Sequence, residues 1–270
     1  MISIFAKPPF EMKHLQRVSS IVRGEQIAAY MGNARLNPDS GYENDTCIFV
    51  KPHIKPGNSF DFPKHSWIDI HDAFDLVEVL NRYPDVGVIA YSDLAFETLS
   101  KHTRNKIALI PHHHVNYERT KRSRDKILKV GTTGSLPAWD YIPDKIKQGL
   151  KARGIKLELY TNFYPRMSVA RFHESIDVHL HWRPWLNRPL SCPFKIINAA
   201  SFGVPTIALD EPSFKEVEGT YIGVKTPEEW LEKLDYLIAD NSLYDDLVNN
   251  CLEVSERYHI SKIAKLYEQL

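Results

Sequence analysis

Two α/β halves in series, each built on a parallel sheet, are what this sequence predicts. Three observations lead there. Short apolar segments rich in β-branched residues alternate with helical ones along most of the chain, the pattern of a parallel sheet covered by helices. The alternation breaks once, over Val115 to Lys126, which carries Lys121-Arg-Ser-Arg-Asp-Lys126 and almost nothing apolar, and then restarts. A length of 270 residues also accommodates two domains of ordinary size.

Ile2 to Ala6 reads as a first strand and Val18 to Met31 as a helix, with Arg23-Gly24 in its first half. Thr46 to Val50 is a second strand, stopped by Lys51-Pro52. His53 to Lys64 holds three prolines and a glycine and reads as a loop. Trp67 to Ile70 is a strand followed at once by His71-Asp72. Ala73 to Asn81 has helical spacing. Val86 to Tyr91, Leu94 to Lys101 and Ile107 to Pro111 then read as strand, helix and strand. The charged stretch Val115 to Lys126 is an interdomain connection or exposed loop.

The second half opens with a strand, Ile127 to Val130, closed by the turn Gly131-Thr132-Thr133-Gly134-Ser135. Ile142 to Arg153 is a helix, Ile155 to Tyr160 a strand, Val169 to Glu174 helical, and Val178 to His181 a short strand. Pro193 to Asp210 says most. Pro193 suits a helix start, Gly203 the left-handed residue past its end, and Val204 to Leu209 a strand buried on both faces. Ser191, Lys195 and Asn198 fall at i, i+4 and i+7, so they are expected on one polar face. Helices follow over Pro227 to Asp240, Leu243 to Tyr258 and Ile260 to Leu270.

Composition narrows the function classes. Lys+Arg and Asp+Glu each total 34, so no net positive charge draws the chain to nucleic acid. Three cysteines (Cys47, Cys192, Cys251) have no metal-ligand spacing and make no even disulfide set, which points to a reducing, cytoplasmic setting. No apolar run is long enough to span a membrane, and the first residues lack a signal-peptide shape; peripheral membrane contact stays open. No Gly-x-Gly-x-x-Gly follows a strand, which argues against a dinucleotide oxidoreductase.

The Pro193–Asp210 segment resembles the donor-site helix of GT-B glycosyltransferases, especially those of family four. Their pattern is an acidic residue, seven others, a glutamate, then Gly-Val-Pro and a strand. Gly203-Val204-Pro205 matches, whereas Leu190 and Asn198 stand where the two acids would be. Further likeness lies in Val88-Ile-Ala-Tyr-Ser92, in Ile107 to Pro111, in Val130-Gly131 with the residues after it, and in Ile176-Asp-Val-His-Leu-His-Trp182. It is strongest from residue 86 onward. The resemblance implies two Rossmann-like domains facing across a cleft, 1–118 on the acceptor side and 119–258 on the nucleotide-sugar side. A C-terminal helix, 259–270, would return to the N-terminal domain.

It also implies an activity: transfer of a sugar from a nucleotide diphosphate sugar to a hydroxyl acceptor, with retention. The donor would be a substrate, with no separate cofactor and no metal. The acceptor could be a glycan, a lipid-linked sugar or a small molecule. His71 takes the place of a family histidine that faces the donor sugar, and Asp72 would orient it or act as a base. Gly131, Thr132, Thr133, Gly134 and Ser135 offer backbone and hydroxyl groups to phosphate at a strand's carboxyl end. The family's arginine and lysine after this turn are missing until Lys145. Arg183, Arg188 and Lys195 are therefore expected to carry the cationic role, with Ser191 and Asn198 beside them. Arg188 could equally be a surface residue covering Trp182 and Trp185, whereas the functional reading is preferred for Arg183 and Lys195; Asp72 could simply cap a helix.

Three adjacent histidines, His112 to His114, resemble a metal cluster only on paper. Neighbours on an extended segment point to opposite faces, so a loop touching substrate is the better reading. Two other function classes remain. One is a non-catalytic GT-B-like subunit that binds a nucleotide or carbohydrate, favoured by the altered acids. The other is a sugar-nucleotide epimerase, which would need paired cleft acids that the sequence does not supply.

Overall fold

The computed structural model describes residues 1–6, 18–54, 59–123, 126–184 and 188–270. The chain divides into two compact units. Unit 1 comprises Met1–His113, Arg188–Cys192 and Ile260–Leu270; unit 2 comprises His114–Asn187 and Pro193–His259. Each holds its own parallel sheet. No helix among the described residues is long and apolar enough to cross a membrane.

Unit 1 has strands β1 (Ile2–Phe5), β2 (Ala34–Leu36), β3 (Thr46–Val50), β4 (Ser66–Asp69), β5 (Gly87–Ala90) and β6 (Ile107–Leu109), in the order β2-β1-β3-β4-β5-β6. β4 and β5 are buried along their whole length; β5 accordingly reads as an unbroken apolar run, while β4 starts at Ser66 and ends at Asp69. The helix expected from Val18 forms, but Ser20–Glu25 is wound as a π-helix before α1 (Gln26–Tyr30) takes over. Wide turns of this kind often re-aim a side chain at a working position. Helix α2 is limited to Leu76–Leu80, because the chain after β4 first makes a tight turn with Ala73 N–H on the Ile70 carbonyl. α3 (Asp93–His102) starts as expected, with the Ser92 hydroxyl accepting from Ala95 N–H at 3.1 Å.

Unit 2 has strands β7 (Lys129–Thr133), β8 (Lys156–Tyr160), β9 (Val178–His181), β10 (Thr206–Leu209) and β11 (Tyr221–Val224), ordered β11-β10-β9-β7-β8. Helices α4 (Pro137–Asp140), α5 (Asp144–Ala152), α6 (Arg166–Ser175), α7 (Phe194–Ser201), α8 (Pro227–Ala239) and α9 (Asn241–Glu256) lie between and after them. Val130, Val178, Leu180, Ile207 and Trp230 form its centre, and the Trp230 indole donates to the Ile207 carbonyl at 3.1 Å. Helix α10 (Ile260–Tyr267) groups with unit 1.

Several readings need correction. β2, β11 and α4 were not foreseen. β2 is three residues without an apolar run, β11 contains Gly223, and α4 is one turn long. Gly131, Thr132 and Thr133 are strand rather than turn. A side chain at Gly131 would meet Ile176 at 2.5 Å and Phe172 at 2.7 Å, so this glycine serves packing and not phosphate approach. Gly203 has φ +67°, as its place past α7 requires. Ser191 lies outside α7 altogether, so the polar face drawn through Ser191, Lys195 and Asn198 does not exist.

The charged stretch after His114 is a loop, exposed at Glu118, Arg119, Thr120, Lys121 and Ser123, but its first residues are anchored. Val115 and Asn116 are buried. The Asn116 amide donates to the Ser201 carbonyl, Arg166 donates to the Val115 carbonyl, and Arg122 pairs with Asp177. Its cations and amides stitch it onto unit 2. Arg124 and Asp125 of that run lie outside the described residues.

Candidate functional site

Open α/β sheets hold ligands beyond the carboxyl ends of their strands, and each unit has polar side chains there. In unit 1 the cluster begins below the surface. The Arg23 guanidinium is 1% exposed and sits in the π-helix. Its Nε donates to Asp69 Oδ2 at 2.6 Å, and one terminal nitrogen donates to the carbonyls of Ile110 and Pro111 at 2.7 and 2.9 Å. Tyr267 of α10 lays its ring 5.6 Å from the guanidinium carbon. Burial opposes the Arg23 charge, but Asp69 and Tyr267 outweigh it and hold the pKa above its ordinary value. One buried arginine thus ties β4, the residues after β6 and the π-helix together.

His71 follows, two residues past Asp69. Its backbone is left-handed at φ +47°, and so is that of Lys51, past the end of neighbouring β3, at φ +45°. Side chains rarely adopt this conformation, and it concentrates at functional positions. His71 Nδ1 lies 2.8 Å from Asp72 Oδ1, and Lys51 Nζ lies 2.5 Å from the same oxygen. The hydrogen bond from His71, and then the attraction of His71 and Lys51, hold the Asp72 carboxyl well below the usual range. The ring of His71 stacks on Tyr91 at 4.9 Å and meets the edge of His112 at 5.1 Å. Burial comes first in keeping His112 neutral, helped by Arg23, His71 and His113. Asp72 is therefore no helix cap: the helix begins at Leu76, and Asp72 serves His71.

His112 to His114 are all buried. His113 Nε2 lies 2.8 Å from the Val22 carbonyl, and His114 belongs to unit 2, where its ring meets His259. Among the described residues no group of three His, Cys, Asp or Glu is arranged to hold a metal ion.

In unit 2 the corresponding place lies past β7, β9 and β10. Lys195, in the first turn of α7, brings Nζ to 3.3 Å from where a Cβ on Gly134 would stand. Gly134 N–H is bound to the Tyr160 carbonyl at 3.1 Å, and Ser135 is exposed. Thr132 and Thr133 are 4% and 3% exposed, too deep to offer their hydroxyls widely. His181 ends β9 beside Lys195, with His179 one pleat behind it. Arg183 follows two residues later and is half-buried, while Trp182 packs on the unit 2 core. Trp185 lies outside the described residues.

Asn198 is 5% exposed, and its amide oxygen accepts the Val115 N–H at 2.9 Å. Arg188 and Ser191 group with unit 1, and Lys195 with unit 2. The Ser191 carbonyl accepts from the Ser92 hydroxyl at 2.7 Å, the Pro189 carbonyl from Thr98 at 3.0 Å, and the Leu190 carbonyl from the Tyr91 hydroxyl. Glu211 accepts from the Ser213 hydroxyl, and Tyr160 stacks on Phe172 at 4.8 Å.

Comparison with solved structures agrees with this architecture. A structure of the GtfA/B complex aligns with a TM-score of 0.53 at 12% identity, over 87% of this chain and 56% of that one. An E. coli trehalose-6-phosphate structure bound with UDP-2-fluoro glucose aligns at 0.54 and 11% identity, over 84% of this chain and 67% of that one. The N-terminal domain of Candida albicans trehalose-6-phosphate phosphatase aligns at 0.58 and 8% identity, over 99% and 95%. The fold is that of GT-B glycosyltransferases. The chain spans little more than half the length of the GtfA/B structure it matches. No protein-family model and no curated protein sequence matches it.

Against the GT-B pattern, the missing acids have physical reasons. Leu190 is 4% exposed and packs into the apolar core of unit 1, where a carboxylate would be stripped of water. Asn198 holds a backbone N–H in a buried place, which its neutral amide does without a charge to compensate. His181 and Lys51 were missed in the sequence. The alternation Val178-His-Leu-His181 was the available signal for the first; for Lys51 only its place after a strand was.

The buried histidines give a pH prediction. Burial lowers His173 to about 3, and burial with Lys195 lowers His181 to about 3. In the unfolded chain both titrate near ~6.5. Between those values the unfolded state takes up protons and the folded state does not, so stability falls as pH falls and is constant above. Urea melts at pH 7.5 and 5.5 are expected to differ by about 3 kcal/mol from these two groups alone. Equal stabilities would show that the rings are protonated or exposed in the folded protein.

Proposed function

We propose that this protein is a glycosyltransferase that moves a sugar from a nucleotide diphosphate donor to a hydroxyl acceptor. The carrying observation is Lys195: its ammonium lies over Gly134, at the carboxyl end of β7 and in the first turn of α7. A diphosphate placed there would meet a fixed cation and helix N–H groups together. As the bond from the anomeric carbon to the diphosphate breaks, negative charge grows on the leaving oxygen. Lys195 and Arg183 would neutralise it without needing a metal. Exposed Ser135 would add a hydroxyl donor.

His71 is the group proposed to act on the transferred sugar or its acceptor. Its ring is fixed on both sides by Tyr91 and Asp72. An ionised carboxylate can only accept, so Nδ1 carries the proton and Nε2 is the nitrogen left to contact substrate. Retention of anomeric configuration is the outcome implied by the family-four likeness. The acceptor would be a glycan, a lipid-linked sugar or a small molecule. A cytoplasmic setting fits a donor of this kind.

A thermal-shift screen of nucleoside diphosphates and nucleotide sugars, followed by hydrolysis assays on the hits, tests the reading. His71→Ala is expected to abolish transfer while leaving donor affinity within about twofold, since a positioned acid–base group contributes roughly 10²–10⁴ in rate and little in binding. Full activity of that variant would remove His71 from the mechanism. A second reading is a non-catalytic nucleotide- or carbohydrate-binding subunit. Leu190 and Asn198 in place of acids favour it, and the GtfA/B structure is of a complex. Donor stabilisation without turnover, over varied acceptors, would select it.

A further inference from the structure

We propose that Lys51 is a positioning residue for His71, acting through Asp72. This rests on the proposed role of His71 and adds a residue to it. Lys51 and His71 follow the ends of neighbouring parallel strands, β3 and β4, whose register pairs Val50 with Asp69, so the two lie one residue out of step. Lys51 N–H donates to the Asp69 carbonyl at 2.8 Å, so its backbone is fixed two residues before His71. Both residues are left-handed, at φ +45° and +47°. Two such residues on neighbouring strands, neither of them glycine, are strained and persist only where surrounding contacts hold them.

What the shared conformation achieves is a short chain of contacts. Lys51 Nζ and His71 Nδ1 converge on one oxygen, Asp72 Oδ1, at 2.5 and 2.8 Å. Lys51 and Asp72 are 41% and 58% exposed, against 20% for His71. An ion pair that open to water adds little stability. Its work is orientation. Asp72 alone, on an exposed turn, could rotate away from the ring. Held by Lys51, its oxygen stays within hydrogen-bond distance of Nδ1 and keeps the proton there. The groups that face His71 are then Asp72 and Lys51 at the Nδ1 edge, Tyr91 across the ring face and His112 at its side. Nε2 is presented to substrate in one tautomer.

The test uses the full chain, with Lys51→Met and Lys51→Arg. Nitrogen-15 imidazole correlation spectra report the His71 tautomer directly. The parent protein and Lys51→Arg are expected to show the proton on Nδ1. Lys51→Met is expected to show a mixture, with unchanged thermal stability. In transfer assays Lys51→Met should lose about ten- to a hundredfold in kcat with donor KM unchanged, and Lys51→Arg should recover most of it. An unchanged His71 tautomer in Lys51→Met overturns the proposal, as does unchanged kcat in that variant. The spectrum needs no turnover. A parent protein inactive with every donor would therefore sink the proposed reaction, while the tautomer would still decide whether Lys51 positions the ring.

Discussion

Arg23→Met is expected to lower the unfolding free energy by about 3–5 kcal/mol, the cost of leaving one member of a buried ion pair without its partner. Asp69 is fully buried, and its second oxygen has no hydrogen-bond partner among the described residues, so the arginine is its compensation. Loss of Arg23 also strands the carbonyls of Ile110 and Pro111. The double variant Arg23→Met/Asp69→Leu is expected to recover most of the loss, because both desolvated charges then disappear together. Chemical denaturation of the three proteins checks this. A single variant within about 1 kcal/mol of the parent would mean that water reaches the pair.

The second large effect is on ligand binding. Lys195→Ala is expected to weaken nucleoside diphosphate affinity by about 10–100-fold, the value of about 1.5–3 kcal/mol for a hydrogen bond to a charged group. The fold should be kept, because Lys195 stands beyond the strand ends and not in the apolar core. Arg183→Ala is expected to weaken binding less, since its loop position holds it less firmly. Calorimetric titration with a nucleoside diphosphate measures both. Unchanged affinity in both variants would remove the donor-site assignment from unit 2. Because Lys195 also helps keep His181 neutral, its removal should bring part of the acid sensitivity of that histidine closer to neutral pH.

The architecture was largely legible because parallel strands announce themselves. Thr46–Val50 and Gly87–Ala90 form within the segments read as strands, since buried strands demand apolar runs whatever surrounds them. The site was legible only where a residue's neighbours in sequence are also its neighbours in space. His71-Asp72 is such a case: the hydrogen bond is between adjacent residues. Lys51 lies 21 positions from Asp72, and only the pairing of β3 with β4 brings them together. The helical spacing of Ser191, Lys195 and Asn198 misled because spacing presumes a helix, and the chain enters α7 only after Pro193. Gly131 misled for another reason. A glycine at a strand end suits phosphate approach and tight packing equally, and only Phe172 and Ile176 decide between them.

The allocation of Arg188–Cys192 and of α10 to unit 1 bears on how the molecule can be taken apart. Neither unit is one uninterrupted stretch of chain. A fragment ending at His113 would lack Leu190 from its apolar centre and Tyr267 from above the Arg23 guanidinium. Separating the two units by a single cut would thus yield two incomplete products. A rearranged gene that splices 188–192 and 260–270 back onto the first segment is the form in which unit 1 could be studied by itself.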